Sequence, residues 1–353
     1  MKKLQTRIEK IFDIKESSTL FAEAGEIIRA GGLVAFPTET VYGLGANGLD
    51  AEACAKIYEA KGRPSDNPLI LHVADRAMVD RAAATVTEMA ERVLAAFAPG
   101  PVTVILPKRG EVPSRVTGGL STVGIRMPDN DIAHALIRAA GVPIAAPSAN
   151  RSGRPSPTTA AAVFADMDGK IPLILDGGPC RFGVESTIVD CTGERAEILR
   201  PGAVTREMLA EVLGELAPPP VLREEGAPRA PGMKYAHYAP LAPLTLIAAP
   251  RGKMGEAFCA AIHEATAEGK RSGVIVSKET AEEIAGLVPP ERIAVTGGAG
   301  NLSAMAANLY ESLRYFDDVE ADVLFAEAVE EAGLGVAIMN RLKKAAGGRI
   351  RTI

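Results

Sequence analysis

The sequence predicts an α/β protein with two domains joined by a proline-rich linker, and three observations support this prediction. With 353 residues, the chain is too long for one ordinary hydrophobic core. Apolar, strand-like runs alternate with helical patterns in both halves. Between the halves, residues 217–243 are rich in proline and nearly free of aliphatic periodicity. We therefore expect an N-terminal domain at 1–216, a linker at 217–243 and a C-terminal domain at 244–353.

The N-terminal domain is predicted to contain a twisted mixed sheet with helices packed against it. Several of its strand-like runs are separated by loops rather than helices, which favours a mixed sheet over a strictly parallel one. Helical patterns occur at 51–62, near 75–98 and at 131–141. The strand-like runs are GLVAFPT (32–38), NPLILHVA (67–74), PVTVILP (101–107), STVGIRMP (121–128), PLILDGG (172–178), STIVDCTG (186–193) and AEILRPG (196–202).

The C-terminal domain shows a more regular alternation of strands and helices. Three buried-strand patterns are separated by helical stretches in a βαβαβ order, and two longer helices follow. This order predicts a smaller, Rossmann-like α/β/α domain with a parallel sheet and right-handed crossovers. The strand patterns are 243–249, 272–277 and 292–297, and the helical stretches are 253–269, 279–287, 302–316 and 335–346.

The composition is that of a soluble globular protein, with 47% hydrophobic and 24% charged residues. No apolar run approaches the ~20 residues that span a bilayer, and the N-terminus has no apolar stretch followed by a cleavage site. The four cysteines form no CxxC pair, which favours a reducing compartment over zinc or iron–sulfur sites. We expect a cytoplasmic protein without membrane contact, whose net charge of −5 does not favour broad binding to nucleic acid.

The densest group of polar residues is AFPTETVYGLGAN, residues 35–47. Thr38 and Thr40 flank Glu39 directly after a predicted strand, and Gly43 and Gly45 follow. Glycines let a backbone approach a ligand closely, and strand ends are where α/β sheets place their sites. The alternative is an ordinary strand-to-loop turn whose threonines bond to their own backbone.

A second group lies in KGRPSDNPLILHV, residues 61–73. Lys61 and Arg63 are cations on a loop stiffened by proline, and such a loop is suited to holding phosphate or carboxylate. Asn67 follows on the same loop, and His72 lies within the next strand. A solvated basic loop and a core histidine are the structural alternatives.

A third group is GGLSTVGIRMP, residues 118–128. In a strand, residues two apart share a face, so Thr122, Gly124 and Arg126 should point the same way. An arginine in an otherwise apolar strand is costly unless it is paired. Arg126 is therefore a stronger functional candidate than the loop cations, with a structural ion pair to Glu or Asp as the alternative.

Two further stretches carry hydroxyl and cationic side chains. APSANRSGRPSPTTA contains Ser148 and Ser156 among glycine and prolines, and RFGVESTIVD places Ser186 at the start of a strand, followed later by Arg200. The sequence has no GxxxxGK[ST] loop, no strand–GxGxxG–helix arrangement and no plausible Ser-His-Asp or Cys-His set. The residues together indicate capture and positioning of anions rather than covalent catalysis.

The ordered segments PTETVYGLG, KGRPSDNPL, STVGIRMP, APSANRSGRPSPT and ESTIVD resemble the Sua5/YrdC/YwlC family of threonylcarbamoyl-adenylate synthases. The segments PGMKYAHYAP, NLYESLRYFDD and GVAIMNRLKKAA extend the resemblance to the Sua5 type, over nearly the whole chain. It implies a YrdC-like N-terminal domain and a Sua5 C-terminal domain. It also implies that L-threonine takes up bicarbonate or CO2 and that the resulting carboxylate attacks the α-phosphate of ATP. The products are then threonylcarbamoyl-AMP and pyrophosphate.

The resemblance also implies partners and a cofactor. Mg²⁺ would accompany ATP, and the product would pass to a tRNA threonylcarbamoyl-transferase complex for N6-threonylcarbamoyladenosine synthesis, with weak direct contact to tRNA left open. No general base is identified. A non-catalytic RNA-binding factor is the alternative function, but the acidic net charge, the lack of Trp and the 4% aromatic content argue against it.

Residue roles follow by the same resemblance. Tyr235 of the linker would close over the nucleotide and exclude water. The L-threonine-binding residues would be Thr40, His72, Arg126, Ala146 and Ser186. The ATP-binding residues would be Lys61, Arg63, Asn67, Thr122, Ser148, Ser156, Arg200 and Tyr235.

Overall fold

The computed structural model describes residues 4–220, 228–234 and 237–353, and its contacts divide the chain into two units. The first unit comprises Met1–Ser152, Ser156–Arg181 and Glu185–Lys234. The second comprises Gly153–Pro155, Phe182–Val184 and Tyr235–Ile353. Two short segments of the N-terminal half are thus counted with the second unit.

The first unit is built on a ten-stranded mixed sheet, as the loop-connected strands predict. Its strand order is β1-β8-β2-β3-β7-β4-β6-β5-β9-β10. In the middle, β4 and β6 are parallel, while β7 and β5 run antiparallel to them on either side. The strands are β1 (Arg7–Lys10), β2 (Val34–Phe36), β3 (Gly43–Asn47), β4 (Ile70–His72), β5 (Val102–Pro107), β6 (Thr122–Arg126), β7 (Ile144–Ala145), β8 (Leu173–Asp176), β9 (Thr187–Asp190) and β10 (Glu197–Arg200).

Eight helices accompany this sheet among the described residues. The prediction of a single helix near 75–98 is wrong, because two helices, α3 and α4, occupy that range. A new helix begins there because the Thr87 hydroxyl accepts the backbone N–H of Ala90, which is an N-cap. The helices are α1 (Ser18–Arg29), α2 (Ala51–Lys61), α3 (Arg76–Ala82), α4 (Glu88–Phe97), α5 (Ser114–Thr117), α6 (Asp131–Ala140), α7 (Ala160–Met167) and α8 (Arg206–Leu213).

The two faces of the central strands have different roles. Leu71, Val104, Val123 and Ile125 point into a large hydrophobic core on one face. The residues between them alternate to the opposite face, where a smaller cluster joins Ile70, Ile105, Ile188 and Leu199 to Ala230, with Met233 packed against it. Residues 228–234 of the predicted linker therefore pack directly on this second face of the sheet.

The second unit contains a five-stranded sheet in which every pair is parallel, with the order β13-β12-β14-β11-β15. The Rossmann-like alternation is confirmed, and β14 and β15 add to the three expected strands. Among the described residues, no helix of either unit is long and apolar enough to cross a bilayer. The elements are β11 (Leu244–Ala248), α9 (Met254–Ala267), β12 (Ser272–Val276), α10 (Lys278–Glu283), β13 (Ile293–Val295), α11 (Leu302–Tyr315), β14 (Val323–Glu327), α12 (Leu334–Ala345) and β15 (Ile350–Thr352).

Candidate active site

The centre of the candidate site is the guanidinium of Arg126, at the end of β6. Arg126 is 4% exposed, and its Nη2 donates to the hydroxyl of Thr40 over 2.8 Å. The same Nη2 lies 2.8 Å from Oε2 of Glu39, so the two buried side chains form an ion pair. The two charged groups are close, but their geometry is not that of a hydrogen bond. Neither oxygen of the Glu39 carboxylate has a hydrogen-bond partner in the structure, and neither does Nε of Arg126. The cationic candidate of β6 and the polar loop after β2 therefore meet in one place.

The loop after β2 is held in shape by Thr38. Its hydroxyl accepts the backbone N–H groups of Thr40 and Val41 over 3.1 and 3.2 Å, and it donates to the carbonyl of Val41 over 2.7 Å. The Thr40 hydroxyl lies 2.8 Å from the Thr38 hydroxyl and completes a chain that runs from Arg126 to Thr38. The turn expected from hydroxyl–backbone bonding is thus present, and it also supports Arg126.

His72 lies beside Arg126, because the two residues are register partners on the parallel strands β4 and β6. The ring is buried, packs edge-on against Phe36 and makes a 3.2 Å contact from Nδ1 to the carbonyl of Ile70. Burial, and secondly the nearby charge of Arg126, lower the pKa of His72 to about 3. The imidazole is therefore neutral at physiological pH.

Ser186 and Arg200 form a second buried polar group. Arg200 donates through Nε and Nη2 to the carbonyl of Ser186, over 3.1 and 3.0 Å, and through Nη2 to its hydroxyl over 3.1 Å. The Ser186 hydroxyl also lies 2.8 Å from that of Thr103 on β5. A residue expected to contact threonine and one expected to contact ATP are thus directly linked.

Lys61 turns inward at the end of α2. Its ammonium donates to the carbonyls of Ser148 and Asn150 and, over 3.3 Å, to the side-chain oxygen of Asn150. The Ser148 hydroxyl donates to the same side-chain oxygen over 2.5 Å. Lys61 therefore fixes the loop that carries Ser148, and its expected contact with phosphate stays a prediction.

Other ATP candidates lie on the loop that leads into β4. Arg63 is half-buried and donates to the carbonyls of Asn67 and Pro68, over 3.4 and 3.0 Å. The side-chain oxygen of Asn67 is buried and has no hydrogen-bond partner. Thr122 begins β6 and is half-buried.

Ala146 and Ser156 are the remaining described candidates. The backbone N–H of Ala146 donates to the carbonyl of Ile70 over 2.9 Å. The Ser156 hydroxyl donates to the carboxylate of Glu185 over 2.6 Å, and both side chains are buried. Tyr235 lies outside the described residues, so its expected role stays a prediction.

The site candidates of β4 and β6 share the sheet face opposite the large core. Thr122, Gly124 and Arg126 alternate with core residues of β6, as the period of a strand predicts, and His72 is the register partner of Arg126. The linker segment 228–234 packs on this same face. At its end, Lys234 Nζ lies 3.8 Å from Asp66 Oδ2, on the loop that carries Arg63 and Asn67.

Sequence reasoning did not select Glu39, Thr103 or Glu185 as site residues. Glu39 lies between Thr38 and Thr40, directly after an apolar strand. A carboxylate in that position is the sequence signal that could have identified it as a site residue. Thr103 sits in an apolar run, and Glu185 precedes a strand, so only the tertiary structure relates them to Ser186 and Ser156.

A family model described as "Telomere recombination" matches residues 26–202, and one described as "Threonylcarbamoyl-AMP synthase, C-terminal domain" matches residues 204–347. The threonylcarbamoyl-AMP synthase of Bacillus subtilis is 46% identical over 340 residues, which cover 96% of each chain. The chain belongs to the Sua5 family of threonylcarbamoyl-AMP synthases. The family resemblance of the sequence motifs, and with it the assignment to an enzyme class, is thereby confirmed.

Two further Sua5-family relatives bear on the architecture. A crystal structure of Pyrococcus abyssi Sua5 in complex with L-threonine has a TM-score of 0.91 and 44% identity, and covers 99% of this chain and 100% of the other. A putative threonylcarbamoyl-AMP synthase of Mycobacterium tuberculosis is 36% identical over 202 residues, which are 57% of this chain and 93% of the relative. The match therefore covers nearly all of that relative but little more than half of this chain.

Proposed function

We propose that this chain is an L-threonylcarbamoyladenylate synthase that converts L-threonine, bicarbonate or CO2, and ATP into threonylcarbamoyl-AMP and pyrophosphate. The product serves N6-threonylcarbamoyladenosine synthesis on tRNA by a separate threonylcarbamoyl-transferase complex. The observation that carries the proposal is the buried Arg126, held by Thr40 and Glu39 on a sheet face lined by polar side chains. An arginine fixed in this way is suited to bind the carboxylate of an amino acid.

The threonine subsite is proposed to surround Arg126. Arg126 pairs with the substrate carboxylate, while Thr40 and His72 line the adjacent surface. His72 is neutral because its pKa is lowered to about 3, so it offers a hydrogen bond without adding positive charge. Ser186 and the backbone at Ala146 complete the proposed subsite.

The ATP subsite is proposed to adjoin it through the Ser186–Arg200 contact. Arg200 and Arg63 supply positive charge for the phosphates, and Asn67 supplies a buried amide whose oxygen has no hydrogen-bond partner. Lys61 acts through the loop that it holds and as a nearby cation. Thr122, Ser148, Ser156 and Tyr235 are the remaining proposed contacts.

Mg²⁺ is proposed to enter as its complex with ATP. This ion is usually bound through substrate phosphates and one or two carboxylates, with several waters retained. Within the described ranges, no three His, Cys, Asp or Glu side chains are grouped in a way that could hold a metal ion. The polar residues of the site fit a metal carried by the triphosphate, where it would neutralise phosphate charge.

The chemistry proposed for these residues is positioning. Binding an N-carboxylated amino acid beside the α-phosphate converts an encounter of separate reactants into a reaction within one complex, which is worth on the order of 7–11 kcal/mol. Arg63, Arg126 and Arg200 would offset the negative charges that this brings together. No general base is assigned.

The domain roles are part of the proposal. Residues 1–216 form the catalytic domain, the linker 217–243 covers the site, and 244–353 form a supporting C-terminal domain. The packing of Ala230 and Met233 on the site face of the sheet supports the role of the linker. A cover that excludes water would strengthen contacts to phosphate and protect a hydrolysis-prone product. We place the reaction in the cytoplasm.

The test is pyrophosphate release by the purified full-length chain. With ATP, Mg²⁺ and bicarbonate present, release should depend on L-threonine and should fall when bicarbonate is removed. Alanine, which keeps the backbone groups of an amino acid, is the substrate control. No pyrophosphate release, together with steeply salt-dependent binding of tRNA, would instead support a non-catalytic RNA-binding factor.

A further inference from the structure

Glu39 is a buried carboxylate that the proposed reaction does not yet use. It is 3% exposed and follows the end of β2 in the loop fixed by Thr38. Its Oε2 lies 2.8 Å from Arg126 Nη2 without hydrogen-bonding alignment, and neither of its oxygens has a hydrogen-bond partner. An ionised carboxylate can accept about four hydrogen bonds, so this group retains most of its accepting capacity.

This arrangement is unfavourable for a carboxylate whose role is only structural. A buried polar group without hydrogen bonds destabilises the fold, and more so when the group is charged. The neighbouring Thr38 and Thr40 hydroxyls bond to Val41, to Arg126 and to each other. The local hydroxyl donors are therefore committed elsewhere, and strained or unsatisfied groups of this kind concentrate at functional sites.

The charges at this point match those of a free amino acid. Arg126 is cationic and Glu39 anionic, and the two side chains stand 2.8 Å apart at their closest atoms. An α-amino acid carries its carboxylate and its ammonium group on the same carbon, the α-carbon. His72, the side chain beside Arg126 in the sheet register, is neutral because its pKa is lowered to about 3. It therefore does not repel a second cation.

We infer that Glu39 binds the α-ammonium group of the amino-acid substrate while Arg126 binds the carboxylate. The inference deepens the proposed function, on which it rests, because it names the group that recognises the amine. Glu39 Oε1 accepts an ammonium N–H, and its pairing with Arg126 sets the spacing between the two recognition groups. The nitrogen of the ammonium group forms the bond to CO2 after it has lost a proton, so its position decides whether the carbamate forms.

A comparison of two ligands in three proteins tests the inference with the full-length chain. The ligands are L-threonine and (R)-3-hydroxybutyrate, which keeps the carboxylate and the hydroxyl but lacks the ammonium group. The proteins are the wild type, Glu39→Gln, which keeps the shape and removes the charge, and Glu39→Asp, which keeps the charge. Affinities are measured by calorimetry. Comparing ligand pairs within each protein isolates the contact from any general effect of the substitution.

The ammonium group should contribute more to ligand affinity in the wild type than in Glu39→Gln. In the wild type, loss of the ammonium group should weaken binding at least about 10-fold, as for a charge-assisted hydrogen bond. In Glu39→Gln the same change in ligand should weaken binding by no more than about threefold. Glu39→Asp, which restores the charge, should recover part of the preference for threonine. ATP affinity within about twofold of the wild type shows that the variants are folded.

Two results would overturn the inference, and they differ in what else they overturn. If threonine binds the wild type but its preference over (R)-3-hydroxybutyrate persists in Glu39→Gln, Glu39 does not recognise the amine, and the proposed function stands. If neither ligand binds the wild type, the amino-acid subsite itself is wrong and the proposed function falls with it.

Discussion

At the scale of single residues, the decisive feature is an arginine buried in a sheet. A buried cation requires a partner, and removing one member of such a pair is strongly unfavourable. Arg126 has Glu39, Thr40 and, over 3.5 Å, Thr38 as partners of Nη2, while Nε has none. The ion pair considered as a structural alternative is therefore present, yet it leaves part of the guanidinium available to a ligand. In the proposed function, one side chain therefore serves both stability and recognition.

Replacing Arg126 by lysine should separate these two contributions. Lysine keeps the charge beside Glu39 but lacks the planar set of donors that matches a carboxylate. We expect kcat/KM for threonine to fall roughly 10- to 100-fold, equivalent to about 1.5–3 kcal/mol, with ATP affinity nearly unchanged. Steady-state pyrophosphate release gives kcat/KM, and calorimetry gives the affinity for ATP. Arg138→Lys, on an exposed position of α6, is the matched control and should behave like the wild type.

His72 makes a pH-dependent contribution to stability. Its pKa is lowered to about 3 in the folded chain, mainly by burial, and is ~6.5 when the chain is unfolded. Between these values the unfolded state binds the extra proton. The contribution of His72 to the free energy of unfolding is thus complete above pH ~6.5, and it is lost progressively as the pH falls toward 3.

The prediction is that His72→Gln removes this pH dependence. The stability of the wild type relative to the variant should decrease by about 2 kcal/mol between pH 7.5 and 5, at ~1.4 kcal/mol for each pH unit below 6.5. Urea unfolding at three pH values gives the difference. His263→Gln changes an exposed histidine and is the control. If the difference in stability between the wild type and His72→Gln stays constant with pH, the His72 ring of the folded chain protonates normally.

At the scale of elements, β3 shows how packing determines a strand with little intrinsic preference for one. Its sequence GLGAN contains two glycines, which disfavour strands. A Cβ built at Gly45 would lie 2.8 Å from Ile144 Cγ2 and 2.9 Å from Phe36 Cε1. Glycine is required because the side chains of adjoining strands occupy that space. Its role is close packing between strands, and contact with a ligand is not needed to explain it.

Gly45→Ala should therefore destabilise the first unit, by about 1–3 kcal/mol, because the methyl group has no room. The expected signs are a lower denaturation midpoint in urea and weaker threonine binding, since β3 adjoins the loop that carries Thr40. Gly110→Ala is the matched control, because a Cβ there meets nothing within 4 Å and its backbone needs no left-handed conformation. Equal stability of the two variants would contradict the steric account.

Sequence patterns predicted these elements unevenly, for physical reasons. Long apolar or amphipathic runs such as β5, β6, α2 and α6 were predicted within a few residues, because local periodicity determines them. β3 and the two-residue strand β7 were missed, since their neighbours in the sheet define them. Likewise, the candidate residues were found as separate groups, but the Glu39–Arg126 pair required the tertiary fold.

At the scale of the whole molecule, chain order and compact units do not coincide. Residues 153–155 and 182–184 are counted with the second unit although they interrupt the first in sequence. Within the second unit, the buried Arg314 donates through Nε to the carbonyl of Pro155 over 3.1 Å. A cut in the linker therefore removes contacts made by residues of the N-terminal half. The extent of the Mycobacterium tuberculosis relative nevertheless indicates that a chain of about the first unit's length occurs by itself.

The position of the cut should decide how well the first unit survives. A chain ending at residue 234 retains Ala230 and Met233, which cover Ile70, Ile105, Ile188 and Leu199, together with the ion pair of Arg229 with Asp190. A chain ending at residue 216 exposes this apolar face, which also carries the site. Loss of this burial should cost about 2 kcal/mol and lower the thermal midpoint by about 4–8 °C. Calorimetry of both fragments gives that difference, and pyrophosphate release should also be lower for 1–216 than for 1–234. Equal stability and activity of the two fragments would show that segment 228–234 neither supports the sheet nor contributes to covering the site.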